Sequence, residues 1–261
     1  MPGANHHDDL ILEQFTRQAT VFSTAPAITD EDALGMIIAA ARPDPGDTVL
    51  DVACGGGIVV CAFAPHVRHA TGIDVTPAML ERARVLAAEK QVSNVSWQLG
   101  DVNSLPYDDG SFSIVVTRFA FHHLLDPCAV LQEMVRVCAP RGRVVVVDTC
   151  ASEDPAKAAE FNRLEKLRDP SHARNLTLAE LKGLFRAAGL PEPQMTSYEL
   201  RGEVEGLLSR SFPNPGDRVK IIEMFRASAA DDRLGVPVRL DGEKVHYAYP
   251  VTILAAERPL P

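Results

Sequence analysis

The segment of residues 47–57, DTVLDVACGGG, constrains the fold of this 261-residue chain more than any other stretch. A short apolar run ends at Asp51 and three successive glycines follow, which is typical of a buried strand that turns sharply towards a helix. Glycine permits such a turn because it lacks a Cβ atom, and it lets the backbone approach a ligand closely. Open α/β sheets bind nucleotides at this point, between a strand's carboxyl end and a helix's amino end. The segment therefore predicts a ligand pocket in an α/β protein.

The residues of this glycine loop disfavour a dinucleotide. The dinucleotide pattern requires a third glycine where this chain has Val60. Asp51 lies inside the motif, where its carboxylate would repel a pyrophosphate but attract a cationic or zwitterionic ligand. A glycine-rich turn without a ligand is the simpler alternative, because such a loop is a weak signal by itself.

Strand and helix patterns alternate after the loop, which implies parallel strands with helices on both faces of the sheet. Strands are predicted near residues 47–53, 69–75, 94–99, 112–118, 143–149 and 245–258. Helices are predicted near residues 9–23, 58–65, 77–90, 127–138, 154–168 and 177–190, and residues 203–230 have a mixed, mostly helical pattern.

Composition limits the partners of the chain. A net charge of −9 argues against a nucleic acid and against an anionic membrane surface. No apolar run approaches the ~20 residues of a membrane span, and the first residues do not resemble a signal peptide. Five cysteines without C-x-x-C spacing fit reduced thiols, and no convincing set of zinc ligands is found. We expect a cytoplasmic protein without a metal that acts on a small molecule.

Further motifs follow the glycine loop in order. Asp74 ends the second predicted strand about 20 residues after the glycines, where an acid can bind ribose hydroxyls. The runs LGDVNSLPYDDGSFSIV, VTRFAFHHLLDP and EMVRVCAPRGRVVVVD come next. With DVACGGG they cover residues 47–148 and resemble the class I S-adenosylmethionine (SAM) methyltransferases. The match is to the small-molecule group around the ubiquinone/menaquinone C-methyltransferases (methyltransferase domain 11/25).

This resemblance implies a fold and an activity. The implied fold is α/β, with a Rossmann-like seven-stranded sheet, mostly parallel with the last strand antiparallel, and helical cap insertions. A single domain would have N-terminal helices over the cofactor (1–45), a SAM-binding core (46–150) and the rest of the sheet with a substrate cap (151–261). The implied reaction is transfer of a methyl group from SAM to carbon, oxygen or nitrogen of a metabolite, with S-adenosylhomocysteine as by-product.

The resemblance also implies cofactor contacts at the matching positions. Asp51, Gly55 and Gly57 would contact the methionine part of SAM, and Asp74 would bind the ribose. Met79 would pack against the adenosine, and Asp101 and Val102 would bind the adenine. Arg118 and Phe119 would lie below the sulfonium, and Val75 belongs to the same set of cofactor contacts. Phe22 ends the segment FTRQATVF, which resembles the part that covers SAM in related enzymes. A core-facing pair of Phe15 and Phe22 is the alternative. The chain departs from the family pattern at Ala53, where a glycine is usual, and in the turn Pro140-Arg141-Gly142.

The acceptor side is less clear from the sequence. The segment 161–177 resembles an "LRDPSHxR" loop of uncharacterised bacterial enzymes and holds Arg168, Asp169, His172 and Arg174. We expect Arg168 and Arg174 to bind substrate, although a surface loop joined by ion pairs is the alternative.

The histidines are the candidate proton acceptors, because histidine suits general-base work near neutral pH. His122 or His172 is expected to be the base and His123 to contact the substrate. His246 and Tyr247 could reach the pocket or simply alternate along the last strand.

Three questions stay open at this point. The chain could bind SAM and catalyse a cyclisation or rearrangement instead of methyl transfer. A non-catalytic partner is disfavoured because three carboxylates remain at the predicted strand ends. The sequence names neither the acceptor nor the atom that is methylated, and it leaves open whether a homodimer forms.

Overall fold

A computed structural model describes residues 6–23 and 25–260 of the chain, and the side chains of residues 20–23 lie outside that description. The helices are α1 (His6–Ser23), α2 (Glu31–Ala41), α3 (Ile58–Phe63), α4 (Pro77–Glu89), α5 (Pro127–Val137), α6 (Pro155–Arg168), α7 (Leu178–Ala187), α8 (Val204–Leu208) and α9 (Asp217–Asp231). The strands are β1 (Thr48–Val52), β2 (His69–Asp74), β3 (Val95–Leu99), β4 (Phe112–Arg118), β5 (Cys138–Thr149), β6 (Gln194–Glu203), β7 (Val238–Asp241) and β8 (Lys244–Glu257).

One sheet joins these strands in the order β3-β2-β1-β4-β5-β8-β6, and β7 pairs with the beginning of β8. The first five strands are parallel to one another, whereas β8 is antiparallel to both β5 and β6. The prediction of a mostly parallel α/β sheet whose last strand is antiparallel is confirmed. The sheet has one strand more than predicted, because the short β7 is added outside the seven-strand path.

The order of the strands reverses beside β1, and this position creates the ligand crevice. β1 pairs with β2 on one side and with β4 on the other. Val49 and Leu50 are completely buried, as expected for a parallel strand covered on both faces. The carboxyl ends of β1 and β4 therefore flank the point where open α/β sheets bind ligands.

Beyond the sheet, the helical cap has a core of its own. Phe161 and Leu164 of α6 pack with Ile221 and Phe225 of α9 and with Tyr249 of β8. The opposite end of the chain contributes α1, which packs against α4. The cap and α1 thus both lie near the carboxyl ends of the central strands.

Two strands differ from the sequence prediction. β5 begins at Cys138 and not near residue 143, because the predicted Pro-Arg-Gly turn is an irregularity inside the strand, with Arg141 at φ +60°. β6 was not located from the sequence, because its residues alternate between exposed and half-buried and lack a continuous apolar run.

Gly57, at the amino end of α3, has a backbone φ of +79°, and an added Cβ would lie 2.5 Å from Trp97 Cη2. We expect Gly57→Ala to lower the free energy of unfolding by about 2–4 kcal/mol, through left-handed strain and overpacking. Gly35, exposed in the middle of α2 with open space around it, is the matched control. At that position alanine should raise the free energy of unfolding by about 0.5–1 kcal/mol. Urea unfolding of both variants tests this, and equal effects would contradict it.

Candidate active site

A cavity of about 230 Å³ opens beside the glycine loop, and we call it the loop cavity. Its walls come from the loop after β1, the carboxyl ends of β2 and β4, the segment after β3, and the inner face of α1. The predicted cofactor residues that line it are Gly55, Asp74, Val75, Met79, Asp101, Val102, Arg118 and Phe119. The fold therefore brings most of the predicted cofactor set to one cavity, although these residues come from four separate segments.

Asp74 fixes the shape of the glycine loop. Its carboxylate accepts hydrogen bonds from the backbone N–H of Gly55 and of Thr76, each at 2.8 Å. Burial raises the pKa of this carboxyl, and the hydrogen bonds from Thr76 and Gly55 oppose the shift. Asp74 thus holds the loop and presents an anionic group to the loop cavity.

Backbone strain is concentrated around the same cavity. Ala53 has a φ of +58° and Phe119 a φ of +57°, both in the left-handed region that favours glycine. Ala53 occupies the position where the resembling enzymes have glycine, so the conformation is kept although the residue differs. Strained residues of this kind persist where the surrounding structure holds them, and they are common at ligand sites.

Asp51 lies in a smaller cavity of about 30 Å³ that shares Arg118 and Phe119 with the loop cavity. The side chain is 1% exposed and accepts no hydrogen bond from any described residue. Burial and then the charge of Asp74 raise its pKa well above the usual value, while Arg118 acts in the opposite direction. An anion this poorly compensated is suited to receive a cation.

Arg118 lines both this smaller cavity and the loop cavity. Its Nη1 donates to the carbonyl of Ile28 at 2.9 Å and its Nη2 to the hydroxyl of Tyr198 at 3.4 Å. The guanidinium lies 4.7 Å from the ring centre of Phe119. Its Nε is buried without a hydrogen-bond partner among the described residues, so one donor is left for a ligand.

Two residues of the predicted cofactor set lie elsewhere. Gly57 caps α3 and lines none of these cavities, since it packs against Trp97 and Ala83. The side chain of Phe22, at the end of α1, lies outside the described residues. Phe15, the alternative aromatic residue of the same helix, lines the loop cavity.

A second cavity of about 100 Å³, which we call the cap cavity, adjoins the first one. Residues of α1, α6, α8 and β8 contribute to its wall, together with the segment of residues 25–28 and the turn after β4. Phe15, Phe119 and His123 line both cavities, so these three side chains form the wall between them. A ligand in one cavity would contact a ligand in the other where the two cavities adjoin, beside this shared wall.

His122 and Asp148 form a buried pair on the cap cavity. The ring Nδ1 of His122 lies 2.5 Å from Asp148 Oδ1, and its backbone N–H donates to Oδ2 at 3.1 Å. Burial lowers the pKa of His122, but the charge and the hydrogen bond of Asp148 outweigh it and raise the pKa above 6.5. Because Nδ1 is held by the carboxylate, Nε2 is the atom that can exchange a proton, and it has no hydrogen-bond partner among the described residues.

His123 has the opposite electrostatic environment. Burial and the neighbouring charge of His122 lower its pKa to about 3, so its imidazole is neutral near pH 7. Its Nδ1 bonds the carbonyl of Ser171 at 3.1 Å, and its ring packs edge-on against Phe15 with centroids 4.9 Å apart. His123 is therefore an uncharged part of the shared wall.

Arg168 reaches the cap cavity as predicted, but it does so as half of an ion pair. Both Nε and Nη2 donate to Glu165 Oε2, at 3.0 and 2.6 Å, and Tyr249 donates to Oε1 at 2.7 Å. Asp169 beside it accepts from Gln18 of α1 at 3.1 Å. These charges are satisfied within the protein.

The structure does not bring His172 and Arg174 to either cavity. His172 is fully buried behind His122, with ring centroids 5.6 Å apart, and its Nε2 bonds Asn162 Oδ1 at 3.0 Å. Burial and the charge of His122 lower its pKa. Arg174 pairs with Glu180 at 2.8 Å on the far side. His122 is therefore better placed than His172 to act on a ligand in the cap cavity.

Sequence reasoning missed several residues of the cap cavity and its supports. Asp148 follows the apolar run VVVV just as Asp51 follows its own strand, so the same signal could have found it. Glu165, Tyr249 and Gln18 carried no local signal. Of the late pair, Tyr247 lines both the cap cavity and a groove beside β7, whereas His246 lines that groove but not the cap cavity.

Neither a metal-binding cluster nor a membrane-spanning helix is found in the described part of the chain. No group of three or more histidine, cysteine, aspartate or glutamate side chains there is arranged to hold a metal ion. A membrane-spanning helix needs about 20 apolar residues, and none of the described helices combines that length with sufficient hydrophobicity.

Comparison with known proteins shows which family this chain belongs to. The model of the family described as "Methyltransferase domain" matches residues 43–189. The uncharacterized methyltransferase YcgJ of Bacillus subtilis is 34% identical over 218 residues, which cover 84% of this chain and 86% of YcgJ. Its crystal structure aligns with a TM-score of 0.82 over 88% of this chain and 100% of that chain, at 30% identity. Demethylmenaquinone methyltransferase of Shouchella clausii is 30% identical over 174 residues, or 59% of this chain and 74% of that protein.

The two adjacent histidines should titrate differently. We expect His122 to lose its proton above pH 6.5 and His123 to stay neutral down to about pH 3. The stabilisation that His122 gains from Asp148 is complete below pH 6.5 and is lost as pH rises through the folded-state pKa. Nitrogen-15 NMR of the imidazoles, assigned with His122→Gln and His123→Gln, tests this. A His123 signal that titrates between pH 5 and 8 would contradict it.

Proposed function

The chain belongs to the methyltransferase domain family, and from this membership we propose that it transfers a methyl group from SAM to a small-molecule metabolite. The observation that carries the proposal is the meeting of two cavities at the shared wall of Phe15, Phe119 and His123. One cavity presents carboxylates from strand ends, and the other presents the His122–Asp148 pair. This arrangement suits a donor and an acceptor that come into direct contact where the two cavities meet, beside these side chains.

The residues of the loop cavity and of the smaller cavity that holds Asp51 fit SAM. The uncompensated Asp51 carboxylate would bind the ammonium group, and the free Nε of Arg118 would bind the carboxylate of the same zwitterion. Asp74 would bind the ribose hydroxyls, and Asp101 with Val102 would hold the adenine, since both line the loop cavity. An anionic ligand such as a pyrophosphate would be repelled by Asp51 and Asp74.

When bound, SAM supplies an electrophilic methyl group on a sulfonium. The protein's main contribution is alignment, which can supply about 7–11 kcal/mol of barrier lowering when two reactants are held in place. Phe15 and Phe119 exclude water at the wall where the reactants would meet. The strained backbone of Phe119 fixes the position of its ring there.

A hydroxyl, amine or enol acceptor must also lose a proton. We assign its removal to Nε2 of His122, which lines the cap cavity and is free of protein partners among the described residues. The acceptor atom forms the bond to the methyl carbon, the carbon–sulfur bond breaks with its electron pair going to sulfur, and the proton goes to Nε2. Asp148 is a positioning residue, because it holds Nδ1 and stabilises the imidazolium that forms.

Calorimetric titration with SAM and, separately, with NAD tests the cofactor. We expect micromolar SAM binding, no NAD binding, and release of a proton on SAM binding at pH values near the raised pKa of Asp51. The proton comes from Asp51, because burial raises its pKa and a bound cation would lower it again. Comparing buffers of different ionisation enthalpy measures this release.

Asp51→Asn should abolish the proton release and weaken SAM binding about 10–100-fold, through loss of a charge-assisted contact. Asp241→Asn, on exposed β7, is the matched control. Absence of SAM binding by the unaltered protein would end the proposal. Tight SAM binding without release of S-adenosylhomocysteine on any acceptor would favour a cyclisation or rearrangement instead.

His122→Gln should lower kcat about 10²–10⁴-fold and leave the Kd for SAM unchanged, because a general base contributes in that range. His66→Gln, at an exposed site, is the control. The base must be neutral, so kcat/KM of the unaltered enzyme should fall as pH drops through a pKa above 6.5. Asp148→Asn should move this acidic limb to lower pH. Full turnover by His122→Gln would refute the role.

A further inference from the structure

We propose that the methyl acceptor is a small hydroxylated carboxylate, smaller than one six-membered ring, whose carboxylate is bound by Arg210 and Tyr247. The proposal rests on the proposed function and names the substrate class of its cap cavity. Neither residue was given a role by the sequence motifs, and both lie outside the reacting wall.

Arg210 is a cation without a counterion at the cap cavity. It follows α8, lines the cavity, and has no carboxylate within ion-pair distance among the described residues. The other charges of this wall are compensated, since Arg168 and Glu165 pair with each other and Asp169 accepts from Gln18 and Ser171. Among the described residues of this wall, Arg210 is the cation whose guanidinium has neither an ion pair nor a hydrogen bond, and a ligand carboxylate can supply both.

Tyr247 supplies a second free donor on the same wall. Its side chain is 4% exposed, and its hydroxyl makes no hydrogen bond with any described residue. Burial raises the pKa of this phenol, and the charges of Arg168 and Arg210 act against the shift, so the hydroxyl keeps its proton near neutral pH. An arginine and a tyrosine that line the same cavity can together bind the two oxygens of a carboxylate.

The position of this pair orients the ligand. Arg210 and Tyr247 line the cap cavity but not the loop cavity, whereas Phe119 and His123 line both. A carboxylate at Arg210 therefore lies away from the shared wall. The rest of the ligand then extends towards that wall and His122, where a hydroxyl can lose its proton to Nε2.

The volume of the cavity limits the size of the acceptor. The cap cavity has about 100 Å³, and a cavity of about 150 Å³ in another protein holds one benzene molecule. Tyr247, Tyr249 and Leu207 give its wall an aromatic and apolar surface. Because the cap cavity is smaller than the one that holds benzene, a short aliphatic acid with one carboxylate and one hydroxyl matches these features.

The test is a binding measurement with matched acid and amide probes. Lactate, alpha-hydroxybutyrate and beta-hydroxybutyrate are each titrated beside the corresponding uncharged amide, with and without S-adenosylhomocysteine. We expect at least one acid to bind about tenfold or more tightly than its amide, as a charge-assisted contact requires. The same acid should be methylated faster than its amide when SAM is present.

Variants of Arg210 and Tyr247 test which of the two side chains binds the carboxylate. Arg210→Gln should remove the preference for the acid, Arg210→Lys should keep part of it, and Tyr247→Phe should weaken acid binding about tenfold. Arg201→Gln is the matched control, because Arg201 is exposed, pairs with Glu199 and lies outside the cap cavity. All variants should bind SAM like the unaltered protein.

The proposal is overturned if no acid binds better than its amide, including the case in which none of the probes binds. It is also overturned if the preference survives Arg210→Gln. Failure of the proposed function is a different result, since it would appear as absence of SAM binding in the separate titration. A preference for acids without SAM binding would support the proposed carboxylate site and contradict the proposed methyl transfer.

Discussion

The carboxylate of Asp148 holds the acceptor side of the molecule together. It is 2% exposed and receives three N–H donors, from the ring and the backbone of His122 and from the backbone of Thr149. These bonds join the end of β5 to the turn that follows β4. Losing one partner of such a buried pair typically costs about 3–5 kcal/mol, because the other charge is left uncompensated. The orientation of His122 is therefore set by a residue of the central sheet.

Three buried carboxylates lie at or next to the carboxyl ends of β1, β2 and β5, and the way each charge is compensated separates their roles. Asp148 is compensated by three donors, and Asp74 by the backbone N–H groups of Gly55 and Thr76. Asp51 has no hydrogen bond from the described residues and depends on the distant charge of Arg118. The charge without a partner is thus the one that faces the place proposed for the ammonium group.

The sequence allowed the cofactor side to be predicted because its signals are local. Asp51, Asp74 and the segment around Asp101 each follow a short apolar strand, and parallel strands bring their carboxyl ends to one edge of the sheet. The parallel core and its helices were predictable for the same reason. Only the short β7 and the half-exposed β6 escaped, since neither has the continuous apolar run of a buried strand.

The acceptor side could not be predicted because its contacts join residues far apart in the chain. Tyr249 bonds Glu165 across 84 positions, and Gln18 bonds Asp169 across 151. No spacing rule relates such pairs. The motif around Arg168 indicated a polar segment, but it did not show that Glu165 pairs with the Arg168 guanidinium. The histidines show the same limit, since His172 has the right chemistry but lies behind His122.

One helix connects the two halves of the site. Phe15 of α1 lies in the wall between the cavities, and Gln18, one turn later, bonds the buried Asp169 below the cap. Because residues three positions apart lie on the same face of a helix, a single docked face contributes to both cavities. The same packing that covers the loop cavity therefore completes the cap cavity. Donor and acceptor would share one cover, and water would be excluded from both at once.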